Sequence, residues 1–290
     1  MIQVRTVMTR YPIYVPTKGR FDSRYTIKAL DHMQTFYYVV IEDHEYDLYS
    51  KILTDDRILI LPWSKPSEFS QLVQTRNWIK KHSIDNGYTR HWQIDDNING
   101  FERLNRNRRR KVNCDSIFRA SEDFVDRFNN VAIAGFEYRQ FSGGARRKKP
   151  PFKLNHRVYS VSLVNNALEY NWRGIYNDDT DLCLRSLKAG WATITFNCFL
   201  QNKMHTMSVK GGNTPIYTTG DSREKFVDSL VEQHPDVTSK VWRYGRWHHD
   251  VDYRKFKLNN PKLKEKFKSR LGEKTINNYG MDEDECFFFF

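Results

Sequence analysis

Two short acidic segments hold the residue types best suited to chemistry. Asp95-Asp96-Asn97 follows an apolar run at residues 88–94, and Asp178-Asp179-Thr180-Asp181 opens a stretch ending in Lys188-Ala189-Gly190. Carboxylate and amide oxygens grouped at a strand end suit Mg2+ or Mn2+, usually shared with a substrate diphosphate. The same three residues equally make an acidic turn that merely ends a strand. In the second segment, acids in the first turn, Lys188 in the last and Gly190 beyond it are ordinary helix-end electrostatics and capping. Yet three carboxylates within four residues exceed what capping needs, which leaves one of them as a candidate general base.

Apolar, β-branched and aromatic runs at residues 11–16, 36–41 and 57–62 predict strands, the latter two buried on both faces. Helices are predicted over residues 22–33 and 67–82, the second placing Phe69, Leu72, Val73, Arg76 and Ile79 at helical spacing. Residues 88–94 then lead as a strand into Asp95. Further on, the pattern predicts helices at 116–128 and 178–189, strands at 131–136, 157–163 and 192–199, and a loop at 143–151. Strands alternating with helices predict an α/β fold whose mixed, mostly parallel sheet is flanked by helices. Open sheets of this kind bind ligands beyond the carboxyl ends of their strands, where Asp95 falls. Arg76, on an otherwise apolar helix face, is expected to point inward at a partner.

The 290 residues are enough for one large domain or two small ones. Lys and Arg number 47 against 35 Asp and Glu, a net charge of +12 that invites a polyanionic partner. A content of 39% hydrophobic and 14% aromatic residues argues against wholesale disorder. No apolar run approaches the roughly 20 residues of a membrane span, and the first residues lack an apolar signal block. Cys114, Cys183, Cys198 and Cys286 form no CxxC pair, which disfavours a disulfide scaffold and suits a reducing, cytoplasmic setting.

The order of segments is informative as a set: Pro16-Thr17-Lys18-Gly19-Arg20 after an opening strand, then a helix with Thr75-Arg76-Asn77-Trp78, then Ile94-Asp95-Asp96-Asn97, Asp178-Asp179-Thr180-Asp181-Leu182 and Lys203-Met204-His205. Over residues 12–207 this resembles glycosyltransferases of the GT-A (Rossmann-like) fold, which transfer a sugar from a nucleotide diphosphate. The resemblance implies that Pro16, Thr17, Lys18 and Arg20 line the nucleotide, with Glu42 nearby, and that Arg76 contacts the nucleotide or braces the acidic strand end. It implies that Asp95-Asp96-Asn97 stands where the family has its Asp-x-Asp motif, Asp95 and Asn97 facing the donor. Asp95, Asp96 and His205 would then hold Mg2+ or Mn2+, although Asn97 departs from the motif, an amide oxygen being the poorer ligand. It also implies Asp178-Asp179 as the acidic pair, with Asp179 the base of an inverting transfer and Asp181 supporting the helix start.

Three basic regions bear on the acceptor. Arg103, Arg106, Arg108, Arg109, Arg110 and Lys111 crowd after the acidic strand end; Arg146, Arg147, Lys148 and Lys149 crowd a loop; and residues 241–255, with Trp242, Tyr244, Arg246, Trp247 and His248, interleave aromatics with cations. Basic loops suit phosphates and planar rings suit stacked bases. Residues 12–20, 93–97 and 244–249 resemble the TET/JBP-associated glycosyltransferases, a group that includes phage enzymes and the trypanosome base J glucosyltransferase. That resemblance implies transfer of arabinose or glucose from a UDP-sugar to 5-hydroxymethylcytosine in DNA, shielding phage DNA from host nucleases. The competing readings are a GT-A transferase acting on a polysaccharide or protein, and a non-catalytic DNA-binding module. The expected organisation is a transferase domain at 1–220, a basic and aromatic C-terminal extension at 221–280, and an acidic-phenylalanine tail at 281–290. The tail, Asp282 to Phe290, resembles peptides that dock into sliding clamps; folding back over an apolar patch is the alternative.

Overall fold

The computed structural model describes residues 9–63, 71–142, 150–204, 211 and 222–268, less the side chains of 222 and 223. The first half runs β1 (Ile13–Pro16), α1 (Tyr25–His32), β2 (Tyr38–Ile41), α2 (Tyr46–Tyr49), β3 (Ile58–Ile60), α3 (Gln71–Asp85) and β4 (Arg90–Ile94). It continues with β5 (Ile98–Asn105), β6 (Arg108–Lys111), α4 (Ser116–Val125), β7 (Val131–Tyr138), β8 (Phe152–Leu154) and β9 (Val161–Asn165). The remainder is α5 (Asp178–Lys188), β10 (Ala192–Lys203), α6 (Ser222–Gln233), β11 (Thr238–Arg243), β12 (Arg246–Val251) and α7 (Glu265–Lys268).

Ten strands form one sheet in the order β3-β2-β1-β4-β9-β7-β10-β5-β6, with β8 paired to β10. Strands β5, β8 and β9 run against the rest, so the sheet is mixed but mostly parallel in direction. The chain builds outward from β1 through β2 to β3, then returns to lay β4 on the other side of β1. Open α/β sheets bind ligands beyond the carboxyl ends of the strands at such a reversal, here β1 and β4.

Strand alternation sorts the core into two layers. Ile13, Val15, Val39, Ile41, Trp92 and Ile94 face one side, packing with Leu30 of α1 and Phe118 of α4. Tyr14 and Val40 face the other, against Ile79 of α3. Val73 of α3 and Leu182 of α5 share a further cluster with Ala132 and Ile133 of β7. Hence α3 and α5 lie together, and every odd-numbered residue of β4 looks toward them.

Two hairpins occupy segments that the sequence shows only as basic runs. Asn105 pairs with Arg108 across Arg106-Asn107, both at positive φ, and Arg243 pairs with Arg246 across Tyr244-Gly245, likewise positive. Two-residue turns of this kind match the twist of paired strands. The second hairpin forms its own two-stranded sheet. Nearby, Leu184 and Leu187 of α5 pack with Leu230 of α6, Val237 and Phe256. Strand β9 also begins four residues later than predicted and runs antiparallel between β4 and β7, so the second half is not a simple strand–helix–strand repeat. No described helix is long and apolar enough to cross a membrane.

Candidate active site

Alternation in β4 continues past its end and separates the two adjacent acids. Asp95 follows Gln93 onto the α3 side, while Asp96 falls on the α1 side against the Arg20 guanidinium. Thr26 of α1 fixes the turn between them: its hydroxyl donates to the Asp95 carbonyl at 2.5 Å and accepts from the Ile98 N–H at 2.9 Å.

On the α3 side, Arg76 is buried at 2% exposure. Its guanidinium lies 3.1 Å from Asp95 Oδ1, 3.1 Å from Asp178 Oδ2 and 3.6 Å from Asp179 Oδ1. Gln93 closes the arrangement, accepting from Arg76 Nη1 at 3.3 Å and donating to the Arg76 carbonyl at 3.0 Å. Burial alone would weaken the guanidinium's hold on its proton, but Asp179, Asp178 and Asp95 more than reverse that. Lys203, at the end of β10, donates to Asp95 Oδ2 at 2.8 Å and to Ser160 Oγ at 2.7 Å. Burial opposes ionisation of Asp95, yet Lys203 and Arg76 hold its carboxyl well below the usual range. Burial is also the largest influence on the α5 acids. It pushes Asp179 up to about 7, with Asp178 and Asp95 adding repulsion that Arg76 only partly relieves. Asp178 is raised too, by burial and by Asp95.

Asp181 has a different task. Its carboxylate accepts from Arg173 Nη2 at 2.9 Å, Arg185 Nε at 2.8 Å and His234 Nε2 at 2.9 Å. Burial opposes its ionisation, but the His234 and Arg173 hydrogen bonds bring the carboxyl down to about 2. It ties the first turn of α5 to the 173 loop and to α6, leaving Asp178 and Asp179 for Arg76.

The loop after β1 forms a second group of contacts. Lys18 Nζ donates to Glu42 Oε1 at 2.7 Å and also to Gln71 of α3. The Gly19 N–H donates to Glu45 Oε1 at 2.9 Å, and Thr17 and Pro16 continue the strand inside the sheet. Gly211 returns the chain against this loop: a Cβ there would come within 2.4 Å of the Gly19 carbonyl oxygen.

The structure thus draws Arg76, Asp95, Asp178 and Asp179 into one cluster, and Lys18, Arg20, Glu42 and Asp96 into the adjoining group. Several participants escaped the sequence reading. Lys203 stands two residues before His205 and was discernible by strand spacing, whereas Glu45, Thr26, Ser160 and Gly211 sit in segments with no pattern to mark them. His205, Arg146, Arg147, Lys148 and the tail 282–290 lie outside the described residues.

Of the metal site expected on Asp95, Asp96 and His205, only the two acids fall within the described residues. Adjacent acids on opposite sides of a strand end do not converge, and each already faces a cation, Asp95 two of them and Asp96 one. Among the described residues, no group of three or more His, Cys, Asp or Glu side chains is placed to hold a metal ion. Asn97 Oδ1 is buried without a hydrogen-bond partner, but one neutral amide oxygen is a poor site for a hard cation. Asp95, Asp96 and Asn97, as the described residues place them, do not by themselves make a Mg2+ or Mn2+ site.

Of the residues expected at the acceptor, Arg108, Arg109 and Arg110 lie on β6, an edge strand, with Arg110 directly opposite Arg103. Like charges facing each other across a ladder repel, which favours an anionic partner between them. In the second hairpin Trp242 stacks edge-on against Trp247 at 5.0 Å, Arg246 approaches His248, and Tyr244 stands 92% exposed at the turn.

A mostly parallel sheet that reverses its strand order at β1, with an acidic pair at the start of a helix packed on it, accords with a glycosyltransferase of GT-A-like fold. The family model described as TET-Associated Glycosyltransferase matches residues 11–212, more than half of the chain, and the chain belongs to that family. A comparison with curated proteins finds no match.

Proposed function

We propose that the protein transfers arabinose or glucose from a UDP-sugar to the hydroxymethyl group of 5-hydroxymethylcytosine in DNA, with inversion at the sugar. The observation that supports the transfer chemistry is the placement of Asp179 at the start of α5, clustered with Asp178 and Asp95 around Arg76, where burial raises its carboxyl to about 7. A base poised near neutrality is what removing a hydroxyl proton requires. The acceptor oxygen attacks C1 of the sugar, the C1–O bond to the diphosphate breaks, its electron pair leaves on UDP, and the proton passes to Asp179. A single base on the attacking side accords with inversion, by analogy with inverting glycosidases. Asp178 holds Arg76 in place, and Arg76 in turn keeps Asp95 ionised toward the donor. Thr17, Lys18, Arg20 and Glu42 bind the nucleoside end, and the unpartnered Asn97 Oδ1 accepts from a donor hydroxyl. No step is assigned to a divalent ion.

The DNA acceptor rests on the exposed aromatic–cation hairpin and the arginine edge. Trp242 and Tyr244, exposed at 59% and 92%, offer stacking surfaces that compensate for a base drawn out of the duplex. Such a product protects phage DNA in the infected-cell cytoplasm, and the tail 282–290 docks a clamp that keeps the enzyme on new DNA. Loss of clamp co-purification on deleting the tail tests that last point. The main test incubates the protein with several UDP-sugars and DNA with or without 5-hydroxymethylcytosine, followed by mass spectrometry of the nucleosides. A pentose or hexose mass on hydroxymethylcytosine alone is expected. Modification of a polysaccharide or protein instead would overturn the acceptor.

A further inference from the structure

Asp95, expected as a ligand of a divalent cation, has a lysine beside it, and the fold goes to some length to place that lysine. Strand β10 follows β5 until its register shifts between Gln201 and Lys203, so that Lys203 pairs with Ile98, the residue just after the acidic turn. A shift of this kind next to a site re-aims the side chain beyond it. Gln201 anchors the shift, its Nε2 donating to the Phe136 and Tyr159 carbonyls at 2.8 Å each, and the Met204 N–H donates to the Asn97 carbonyl at 2.9 Å. Ser160, at φ 62, is braced from the other side: its carbonyl accepts from the Asp95 N–H at 2.7 Å while its hydroxyl accepts from Lys203. The Lys203 ammonium also lies 6.0 Å from the centre of the Tyr138 ring. Of its three protons, Asp95 and Ser160 accept two, which leaves one for a further acceptor.

We propose that Lys203 serves as the resident cation of the transfer, donating to a β-phosphate oxygen of the UDP leaving group in place of Mg2+ or Mn2+. The inference rests on the UDP-sugar reading of the donor but not on the identity of the acceptor. As the acceptor oxygen–C1 bond forms and the C1–O bond to the β-phosphate breaks, the electron pair retained by the diphosphate oxygen is met by the ammonium, while the hydroxyl proton goes to Asp179. A fixed positive charge at the atom where negative charge develops needs no recruitment from solution. Asp95 is thereby a positioning residue: with Arg76 on one oxygen and Lys203 on the other, it aims the ammonium instead of ligating a metal.

The test uses the full chain treated with excess EDTA. UDP affinity is read by calorimetry, and Mn2+ binding by electron paramagnetic resonance with UDP present. Transfer from the donor is followed with Lys203→Met and Lys203→Arg alongside. The wild-type protein is expected to hold UDP and turn over equally well with EDTA or Mn2+, and to retain no Mn2+ beyond what UDP binds alone. Lys203→Met should slow transfer by about a hundredfold, the scale seen when one charge-stabilising donor is removed, and Lys203→Arg should restore part of it. Thermal unfolding of both variants identifies any loss of folding, in which case the EDTA and resonance measurements on the wild type decide. Wild-type UDP binding that disappears in EDTA and returns with Mn2+ overturns the proposal while leaving the donor reading intact. Absence of UDP binding under both conditions overturns the donor reading and the proposal with it.

Discussion

Asp179 and Asp181 differ by two positions in the chain, yet one carboxyl is raised to near neutrality and the other is lowered. Asp181 is surrounded by donors that hold it ionised, whereas Asp179 shares one guanidinium with two other carboxylates and is raised to about 7. A base must be deprotonated to work, so transfer should be slow well below pH 7 and rise as pH passes that value. The pH profile of single-turnover transfer checks this. Asp95→Asn removes one of the negative charges that raise Asp179, so the same limb should move to lower pH. Asp179→Asn should lose about a thousandfold in turnover while keeping UDP affinity and a cooperative melt; a variant with full turnover excludes Asp179 as the base. At this scale the sequence was legible in part. The acidic pair and the inward-facing Arg76 could be picked out by type and spacing, but Asp95 and Asp96 read as joint ligands. Alternation along β4 separates them, a geometric consequence that a string of letters does not display. Lys203 was overshadowed by His205, because a histidine suggests a ligand and a lysine on a basic chain does not.

Among the elements, the strands of the first half were the most legible, since continuous apolar runs have few alternatives to a buried sheet. The β5–β6 and β11–β12 hairpins were not, because their strands carry charge and aromatics in place of an apolar alternation and are defined instead by backbone turns. The return of the chain at Gly211 was also invisible, as it depends on a contact with Gly19 nearly two hundred positions earlier. Gly211→Ala would press a methyl group on the Gly19 carbonyl at a φ of 87° that side chains resist. Strain of about 1–3 kcal/mol in that loop should weaken UDP binding by about tenfold, measured by calorimetry. At the far end of the sheet, Glu122 of α4 accepts from the Arg10 N–H at 2.7 Å and Trp92 Nε1 at 2.9 Å. Burial pushes its carboxyl up to about 7, so its stabilising contribution is complete below the ordinary carboxylate range and is lost as pH rises through 7. Glu122→Ala leaves those donors unpaired and should destabilise the fold by about 2–4 kcal/mol. Denaturation in urea should show that difference shrinking between pH 5 and 8.

For the molecule as a whole, the net charge of +12 acquires direction. The β5–β6 hairpin starts beside Asn97 and carries its arginines away, its turn lying about 23 Å along the strand from Ile98 at the usual rise per residue. A patch at that distance suits flanking phosphates more than the reacting base, and the hairpin tipped by Tyr244 suits stacking. The two contributions should separate in a salt titration of DNA binding. Arg108→Ala with Arg110→Ala should lower the slope of log affinity against log salt by about 2. Tyr244→Ala should weaken binding by about tenfold with the slope unchanged.

Strand β6 is also one of the edges of the ten-stranded sheet among the described residues, with Arg108, Arg110 and Lys111 exposed along it. A bare margin of backbone N–H and C=O groups is an invitation for a second chain to add itself, and clustered cations along it discourage that. The arginines proposed to meet DNA therefore also keep the protein from polymerising edge to edge. Replacing them with valine, which pairs well in strands, should produce sedimenting oligomers in the absence of DNA, and bound DNA should itself mask that edge as it neutralises the charges guarding it.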